Sequence, residues 1–163
     1  MYKVSSSKGL RSKVINFIKE NIKFDTVYAH CDIPCGIYDP SGAQMAAKTV
    51  LTMVTQINTI KDTDDYKNNK ESIEIQNSIT RRIIVKEEHA EKVKKEILIL
   101  WTDYFKESDL NIVPDLHALI WNTCKLASLS KQTVNIENAN ELTESVSKVS
   151  EAFNKVKEVR ARA

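Results

Sequence analysis

The 163-residue sequence has few of the residues that punctuate a β-rich fold, with only three glycines and three prolines. Short strands need frequent turns, and Gly and Pro are usual turn residues, so their scarcity argues against a many-turned β protein. Three cysteines are an odd number, which does not fit the disulfide framework of a small secreted domain. No run of about 18 apolar residues is present, so the sequence predicts no membrane-spanning helix.

The sequence also lacks a strong charge of either sign, since 24 Lys and Arg nearly balance 22 Asp and Glu. The charge is unevenly spread, because residues 1–29 carry six basic residues against two acidic ones and the remainder carries 18 against 20. No basic stretch is interleaved with aromatic residues, so we expect no nucleic-acid partner. The length suits one main domain with a core of its own.

Apolar residues recur at spacings of three and four along most of the chain, which indicates amphipathic helices. The predicted helices cover residues 40–60, 66–106, 114–130 and 136–160. At about 1.5 Å per residue the second would span roughly 60 Å, so we expect a loop or a break within it. Four such helices with short links predict an all-α fold, an antiparallel four-helix bundle.

Residues 1–29 differ from the rest in charge and pattern. Leu10, Val14 and Phe17 fall on one helical face, but lysines interrupt any continuous apolar core, which argues against a secretory signal. The segment ends at Ala29, a small residue directly before His30. The residues alone leave three interpretations open: a helix packed on the domain, a pro-segment removed after Ala29, or a targeting peptide.

Residues 30–40, HCDIPCGIYDP, combine an imidazole and two thiols, contributed by His30, Cys31 and Cys35. Pro34 fixes its own φ and Gly36 relaxes the backbone after the second thiol, so the stretch can curl into a hook. Thiolates and imidazole are ligands that select a late transition metal over magnesium or calcium. A C-x-x-x-C pair by itself is a weak signal, and it leaves a zinc-binding site or a redox dithiol as alternatives.

This stretch resembles the metal-binding hook of the nickel-containing superoxide dismutase family, which has the form H-C-D-x-P-C-G-x-Y-D-P. Residues 99–106, ILWTDYFK, resemble that family's L-W-x-D-Y-F-K segment, and residues 113–117, VPDLH, resemble its Y-P-x-L-H segment. The three blocks occur in the family's order. The resemblance implies an oxidoreductase that converts superoxide to O₂ and H₂O₂ with one nickel ion per chain. The alternative is a helical zinc or dithiol protein without dismutase activity.

The resemblance also implies how the chain is divided and where the metal is bound. Residues 1–29 would be a pro-segment that a peptidase removes, leaving residues 30–163 as a bundle with a hook at 30–38. The metal ligands would be the freed amine and imidazole of His30, the backbone amide of Cys31, and the thiolates of Cys31 and Cys35. Tyr38 and Tyr104 would lie beside the metal, hold ordered water and limit access to small anions. Tyr104 fits the core stripe of its predicted helix equally well.

The resemblance further implies a homohexamer, in which neighbouring bundles pack around each hook. The few cysteines and the lack of a secretory signal favour the cytoplasm, with organelle targeting by residues 1–29 left open. Some family members orient the axial imidazole with a glutamate and an arginine, where this sequence has Ala46 and His89. We expect His89 to be exposed, His117 to serve packing or capping, and Cys124 to be a buried, small apolar residue.

Overall fold

A computed structural model describes residues 37–162, in which four long helices account for most of the chain. The long helices are α1 (Ser41–Asp62), α3 (Ile73–Ile99), α4 (Leu116–Gln132) and α5 (Ile136–Arg162). The shorter elements are α2 (Asp64–Asn68), a π-helix (Leu100–Tyr104) and a 3₁₀-helix (Glu107–Asn111). The part of the chain that the structure describes contains no strand.

The long helices pack in the order of the sequence, and α5 closes the ring by packing on α1. Gly42 at the start of α1 lies against Glu96 near the end of α3. Further along, Arg82 Nε of α3 donates a hydrogen bond to Gln56 Oε1 of α1 at 3.0 Å. Between these two contacts the residue numbers rise along α1 and fall along α3, so α1 and α3 are antiparallel. The predicted antiparallel four-helix bundle is confirmed.

The core is formed where the apolar stripes of the four helices meet. Small residues on α1, such as Ala43, Ala46 and Ala47, are almost completely buried and let the helices approach closely. The larger fully buried apolar side chains are Val50, Val54, Ile57, Val93, Ile97, Leu116, Ile120, Leu142, Val146, Val149 and Phe153. Burying one such side chain contributes about 1.5–3 kcal/mol, so these stripes account for most of the bundle's stability.

Helix α1 begins one residue later than the sequence predicts. The carbonyl of Pro40 accepts the first helical hydrogen bond, from Gln44 N at 3.1 Å. Asp39 still caps this end, because its Oδ1 accepts a hydrogen bond from Ser41 N at 2.6 Å. The fixed φ of Pro40 therefore starts the helix, and the neighbouring carboxylate satisfies a free N–H.

The expected break in the second predicted helix lies between Asn68 and Ile73, where α2 ends and α3 begins. Helix α2 is capped by Thr63, whose Oγ1 accepts a hydrogen bond from Tyr66 N at 3.2 Å. Asn69 then leaves the helical region with φ −129° and ψ 44°. The predicted stretch 66–106 is therefore not one helix, and α3 itself has 27 residues.

The far end of α3 widens into the π-helix, where Phe105 N donates a hydrogen bond to Leu100 O at 2.9 Å. This bond spans five residues instead of four, so it shifts the side chains that follow around the helix axis. Leu100 and Phe105 remain buried, and Tyr104 lies half-buried between core and surface. The π-helix therefore determines how Tyr104 is presented at this end of the bundle.

Candidate active site

The predicted metal ligands His30, Cys31 and Cys35 lie outside the described residues, which begin at Ile37. The same holds for the predicted pro-segment boundary after Ala29. These assignments therefore stay predictions. The described part of the candidate site begins with Tyr38, three residues after Cys35 in the sequence.

Tyr38 and Tyr104 are far apart in sequence and adjacent in the fold. Their ring centroids are 5.6 Å apart with an angle of 55° between the ring planes. Tyr38 precedes α1, and Tyr104 is the last residue of the π-helix. Both rings are partly buried and pack against the hydrophobic core. The structure thus brings together the two side chains that were predicted to lie beside a metal.

Tyr104 also belongs to the aromatic part of the core, as its position in the helical stripe suggested. Its ring centroid lies 4.4 Å from that of Phe153 and 5.2 Å from that of Phe105. The guanidinium carbon of Arg160 lies 4.6 Å from the centroid of the same ring. The Tyr104 ring therefore packs against Phe153 and Phe105 of the core, and it also contacts Tyr38 near the start of the described residues.

Burial raises the pKa of the Tyr104 phenol above its ordinary value, because the charged phenolate is poorly solvated there. The nearby Arg160 cation lowers that pKa, and the Asp109 carboxylate raises it. The balance leaves the phenol protonated at neutral pH. A protonated hydroxyl can donate a hydrogen bond to an anion or to water, which a phenolate could not.

Sequence reasoning missed an ion pair beside this tyrosine. Arg160 Nη2 donates to Asp109 Oδ2 at 2.5 Å, and Asp109 is buried. The two residues are 51 positions apart, in α5 and in the 3₁₀-helix. No motif or spacing in the sequence links them, and the burial that calls for a cationic partner is visible only in the fold.

Comparison with known proteins connects this arrangement to one family. Residues 25–157 match the family model described as nickel-containing superoxide dismutase. The chain belongs to the nickel-containing superoxide dismutase family. The prediction of this family is confirmed, and the alternative of a zinc or dithiol protein is not favoured.

Related proteins of this family come from Streptomyces. The superoxide dismutase [Ni] of Streptomyces coelicolor is 30% identical over 128 residues, which cover 78% of this chain and 88% of that protein. The corresponding protein of Streptomyces seoulensis is 28% identical over 127 residues, covering 78% and 87%. A native nickel superoxide dismutase structure has a TM-score of 0.65 at 30% identity and covers 78% of this chain and 99% of that one.

The two positions that depart from the family's glutamate and arginine differ in their surroundings. Ala46 is buried in the core and offers no polar side-chain atom. His89 is partly buried, and its Nδ1 donates to the Val85 carbonyl oxygen at 2.8 Å. The expectation that His89 is exposed is therefore wrong, because the helix turn below it supplies an acceptor. This bond keeps the proton on Nδ1 in the neutral ring.

The second and third sequence blocks of the family meet at one hydrogen bond. Trp101 Nε1 donates to His117 Nδ1 at 3.1 Å, and the two rings meet edge-on. This contact ties the π-helix to the first turn of α4, which agrees with the packing role expected for His117. Cys124 is only partly buried, so the expectation of full burial is wrong, although it packs against the core.

Among residues 37–162, no group of three or more His, Cys, Asp or Glu side chains is placed to hold a metal ion. Over the same residues, no helix is both long and apolar enough to cross a membrane. Within the described residues, the predicted site is represented by Tyr38 and Tyr104.

Proposed function

We propose that the chain is a nickel-dependent superoxide dismutase whose metal is held by His30, Cys31 and Cys35 once residues 1–29 have been removed. The observation that supports this most directly is the contact of Tyr38 with Tyr104 at 5.6 Å between ring centroids. The chain enters the bundle at Tyr38, so the thiol of Cys35 is only three residues from this pair. Three extended residues span at most about 10 Å, so the sequence separation keeps the Cys35 thiol within reach of the tyrosine pair.

The donor set suits nickel in its chemistry. An imidazole and two thiolates, with an amine and a backbone amide, would provide the nitrogen and sulfur donors that hold nickel. In the uncleaved chain the nitrogen of His30 is an amide, whereas cleavage after Ala29 turns it into an amine with a pKa near 8. When bound, nickel would supply the redox step that removes an electron from one superoxide and returns it to another.

The described residues would control what reaches that site. The protonated hydroxyl of Tyr104 can donate a hydrogen bond to superoxide or to an ordered water. In the proposed site, the adjoining rings of Tyr38 and Tyr104 would narrow the approach for a larger anion. Their expected roles are therefore to hold water and the substrate and to exclude bulky anions, without themselves carrying electrons.

The test compares a chain that begins at His30 with the full-length chain, both supplied with nickel. We expect one nickel per chain and superoxide turnover in the shortened protein, and neither in the full-length one. Cys35→Ser should abolish both, whereas Cys124→Ser, at the partly buried thiol of α4, should change neither. Full turnover by a chain that retains residues 1–29, or full zinc occupancy without turnover, would refute the proposal.

The mature enzyme is expected to be a homohexamer processed by a peptidase in the cytoplasm. An exposed apolar surface supports self-association: Leu98, Trp101 and Trp121 line a groove of about 690 Å³ between α3 and α4. Such surfaces commonly mark protein interfaces. The cytoplasmic location rests on the lysines that interrupt the apolar positions of residues 1–29. Native mass spectrometry of the purified natural protein would give both its first residue and its number of subunits.

A further inference from the structure

The guanidinium group of Arg160, near the end of α5, contacts both the backbone and the side chain of Tyr104. Its Nη2 donates a hydrogen bond to the Tyr104 carbonyl oxygen at 3.2 Å. Its guanidinium carbon stands 4.6 Å from the centroid of the Tyr104 ring. Because the π-helix leaves its last carbonyls without regular helical partners, the arginine satisfies one of them while covering the ring.

Asp109 completes this contact from the other side. The aspartate side chain is 4% exposed, and its Oδ2 accepts hydrogen bonds from Arg160 and from the backbone N–H of Lys106. A buried carboxylate requires a cation or several donors, and here it receives both. The pair therefore fastens the backbone on both sides of Phe105 to the C-terminal helix.

We propose that Arg160 and Asp109 form a clamp that positions Tyr104 against Tyr38 for superoxide dismutation. This inference rests on the proposed function, because it assumes that the tyrosine pair borders the metal. The Arg160–Asp109 clamp acts through Tyr104 and does not touch the reacting atoms. The two residues are therefore positioning residues.

The Arg160–Asp109 clamp carries no net charge, unlike a cationic side chain that attracts superoxide from a distance. The arginine and the aspartate neutralise each other, so their combined field falls off quickly and attracts a distant anion only weakly. The effect of the clamp is instead local: it determines the orientation of the Tyr104 ring and the environment of its hydroxyl. Loss of the clamp should therefore slow the reaction without changing its dependence on ionic strength.

The first measurement uses metal-free protein that begins at His30 and contains 3-fluorotyrosine, with fluorine NMR as the readout. The shortened chain keeps three of the five tyrosines, at positions 38, 66 and 104, and Tyr104→Phe assigns the relevant signal. In Arg160→Gln we expect the Tyr104 and Tyr38 signals to move or broaden and the Tyr66 signal to stay. The pKa of Tyr104 should rise, because the cation that lowers it is removed.

The matched control is Arg162→Gln, which removes an arginine from the same helix end. The Arg162 side chain is 80% exposed and pairs with Glu158 through a surface ion pair at 3.7 Å. We expect this variant to leave all three fluorine signals in place. Arg160→Gln/Asp109→Asn removes both charges together, so it tests the clamp without leaving a buried carboxylate unpaired.

The second measurement uses the nickel-loaded proteins. Arg160→Gln and the double variant should bind one nickel per chain and lose about tenfold in turnover, since small displacements in a site can cost this much. Unchanged tyrosine signals or unchanged turnover in either variant, or a flatter dependence on ionic strength in the charge-balanced double variant, would each overturn the clamp. If the unsubstituted protein binds nickel without turnover, the proposed function fails, whereas the fluorine measurement still tests the clamp.

Discussion

Two cationic side chains, Lys86 and Arg160, reach backbone carbonyl groups at different places in the bundle. Lys86 Nζ, projecting from the middle of α3, donates to the carbonyl oxygens of Ser130, Lys131 and Thr133 at 2.7–2.8 Å. Arg160 donates to one carbonyl oxygen, that of Tyr104, and forms its ion pair with a carboxylate.

The surroundings of the two cations differ as much as their partners. Lys86 is 1% exposed, and no carboxylate of the described residues forms an ion pair with it. Burial lowers the pKa of its ammonium group, and Glu87 partly opposes this shift. Its charge is compensated instead by the carbonyl dipoles at the end of α4. The Arg160 side chain is 31% exposed and lies against the ring of Tyr104.

The difference separates a contact that stabilises the fold from one that shapes a site. All three N–H bonds of the Lys86 ammonium group are used, so it closes the α4–α5 connection completely and leaves no room for a ligand. The Arg160 guanidinium is partly exposed and lies against the Tyr104 ring, which belongs to the proposed site. We therefore expect changes at Lys86 to affect stability and changes at Arg160 to affect turnover.

The largest stability effect is expected for Lys86→Met, which keeps the length of the side chain and removes its ammonium group. Three buried carbonyl oxygens would lose their donor, so the free energy of unfolding should fall by about 3–5 kcal/mol. Urea unfolding monitored by circular dichroism measures this change. Turnover per folded, nickel-loaded chain should remain normal.

The control for this variant is Lys131→Met, which removes a neighbouring lysine whose side chain is 44% exposed. Its surface ion pair should contribute no more than about 1 kcal/mol. An equal loss in both variants would show that burial at Lys86 has no special importance. A loss of turnover in folded Lys86→Met would show that the two cations do not divide stability and function as described.

Sequence patterns predict the bundle because each helix has its own apolar stripe and its own start signal. The contacts of Lys86 and Arg160 could not be predicted, since their partners lie 44 to 56 residues away and depend on how the helices pack. A clue existed for Lys86, which lies between Ile83 and Ala90 on the apolar stripe of its helix. No such clue in the sequence pointed to the π-helix. It lies at the end of α3, where no further helical turns follow to show that the apolar spacing has shifted.

The candidate site also has a part that the sequence predicts and a part that only the fold shows. Its predicted metal ligands come from the motif at residues 30–35, and they stay predictions because they lie outside the described residues. Tyr38 and Tyr104 were selected by resemblance, and their proximity is a result of the fold. Asp109 was missed because an acidic residue in a polar turn ordinarily faces water, and only the folded bundle reveals its burial.

A smaller stability effect is expected at an uncharged, buried contact between α4 and α5. Thr123 Oγ1 of α4 and Ser145 Oγ of α5 are 2.6 Å apart. Thr123→Val keeps the shape and leaves the serine hydroxyl without this partner, so the free energy of unfolding should fall by about 1–2 kcal/mol. The measurement is the same urea titration.

The double variant Thr123→Val/Ser145→Ala is the companion experiment. Replacing both partners by apolar groups removes the unsatisfied hydroxyl, so much of the loss should be recovered. If the double variant is as unstable as the sum of the two single variants, the contact is not acting as a hydrogen-bonded pair. If Thr123→Val equals Lys86→Met, charge adds nothing to a buried contact in this bundle.

An effect of a few tenths of a kcal/mol is expected at the exposed ion pair of Lys131 and Glu91, where Nζ and Oε2 are 3.1 Å apart. The hydrogen bond and the charge of Lys131 lower the pKa of Glu91 below its ordinary value of 4.5. The pair therefore stabilises the fold above about pH 4.5 and loses this contribution as the pH falls through the lower, folded-state pKa. Glu91→Gln should remove this part of the acid sensitivity.

The measurement compares unfolding free energies at pH 7 and pH 3 for the two proteins, at low and high salt. The difference between them should be present at pH 7, shrink at pH 3 and shrink again in high salt, because exposed charges are screened. A difference that persists at pH 3 would mean that Glu91 contributes through packing. In that case, exposure would be a poor guide to which cations in this bundle matter.

An effect similar in size to that of the ion pair, but opposite in sign, is expected at the site end of the bundle, for Gly42→Ala in the first turn of α1. Alanine is preferred over glycine in a helix by about 0.5–1 kcal/mol. The new Cβ would meet the Glu96 carboxyl group at 3.2 Å, so this flexible side chain must move by a few tenths of an ångström. We expect a net gain of roughly 0.5 kcal/mol. A loss of stability would show that the helices near the tyrosine pair are packed as rigidly as those around Lys86.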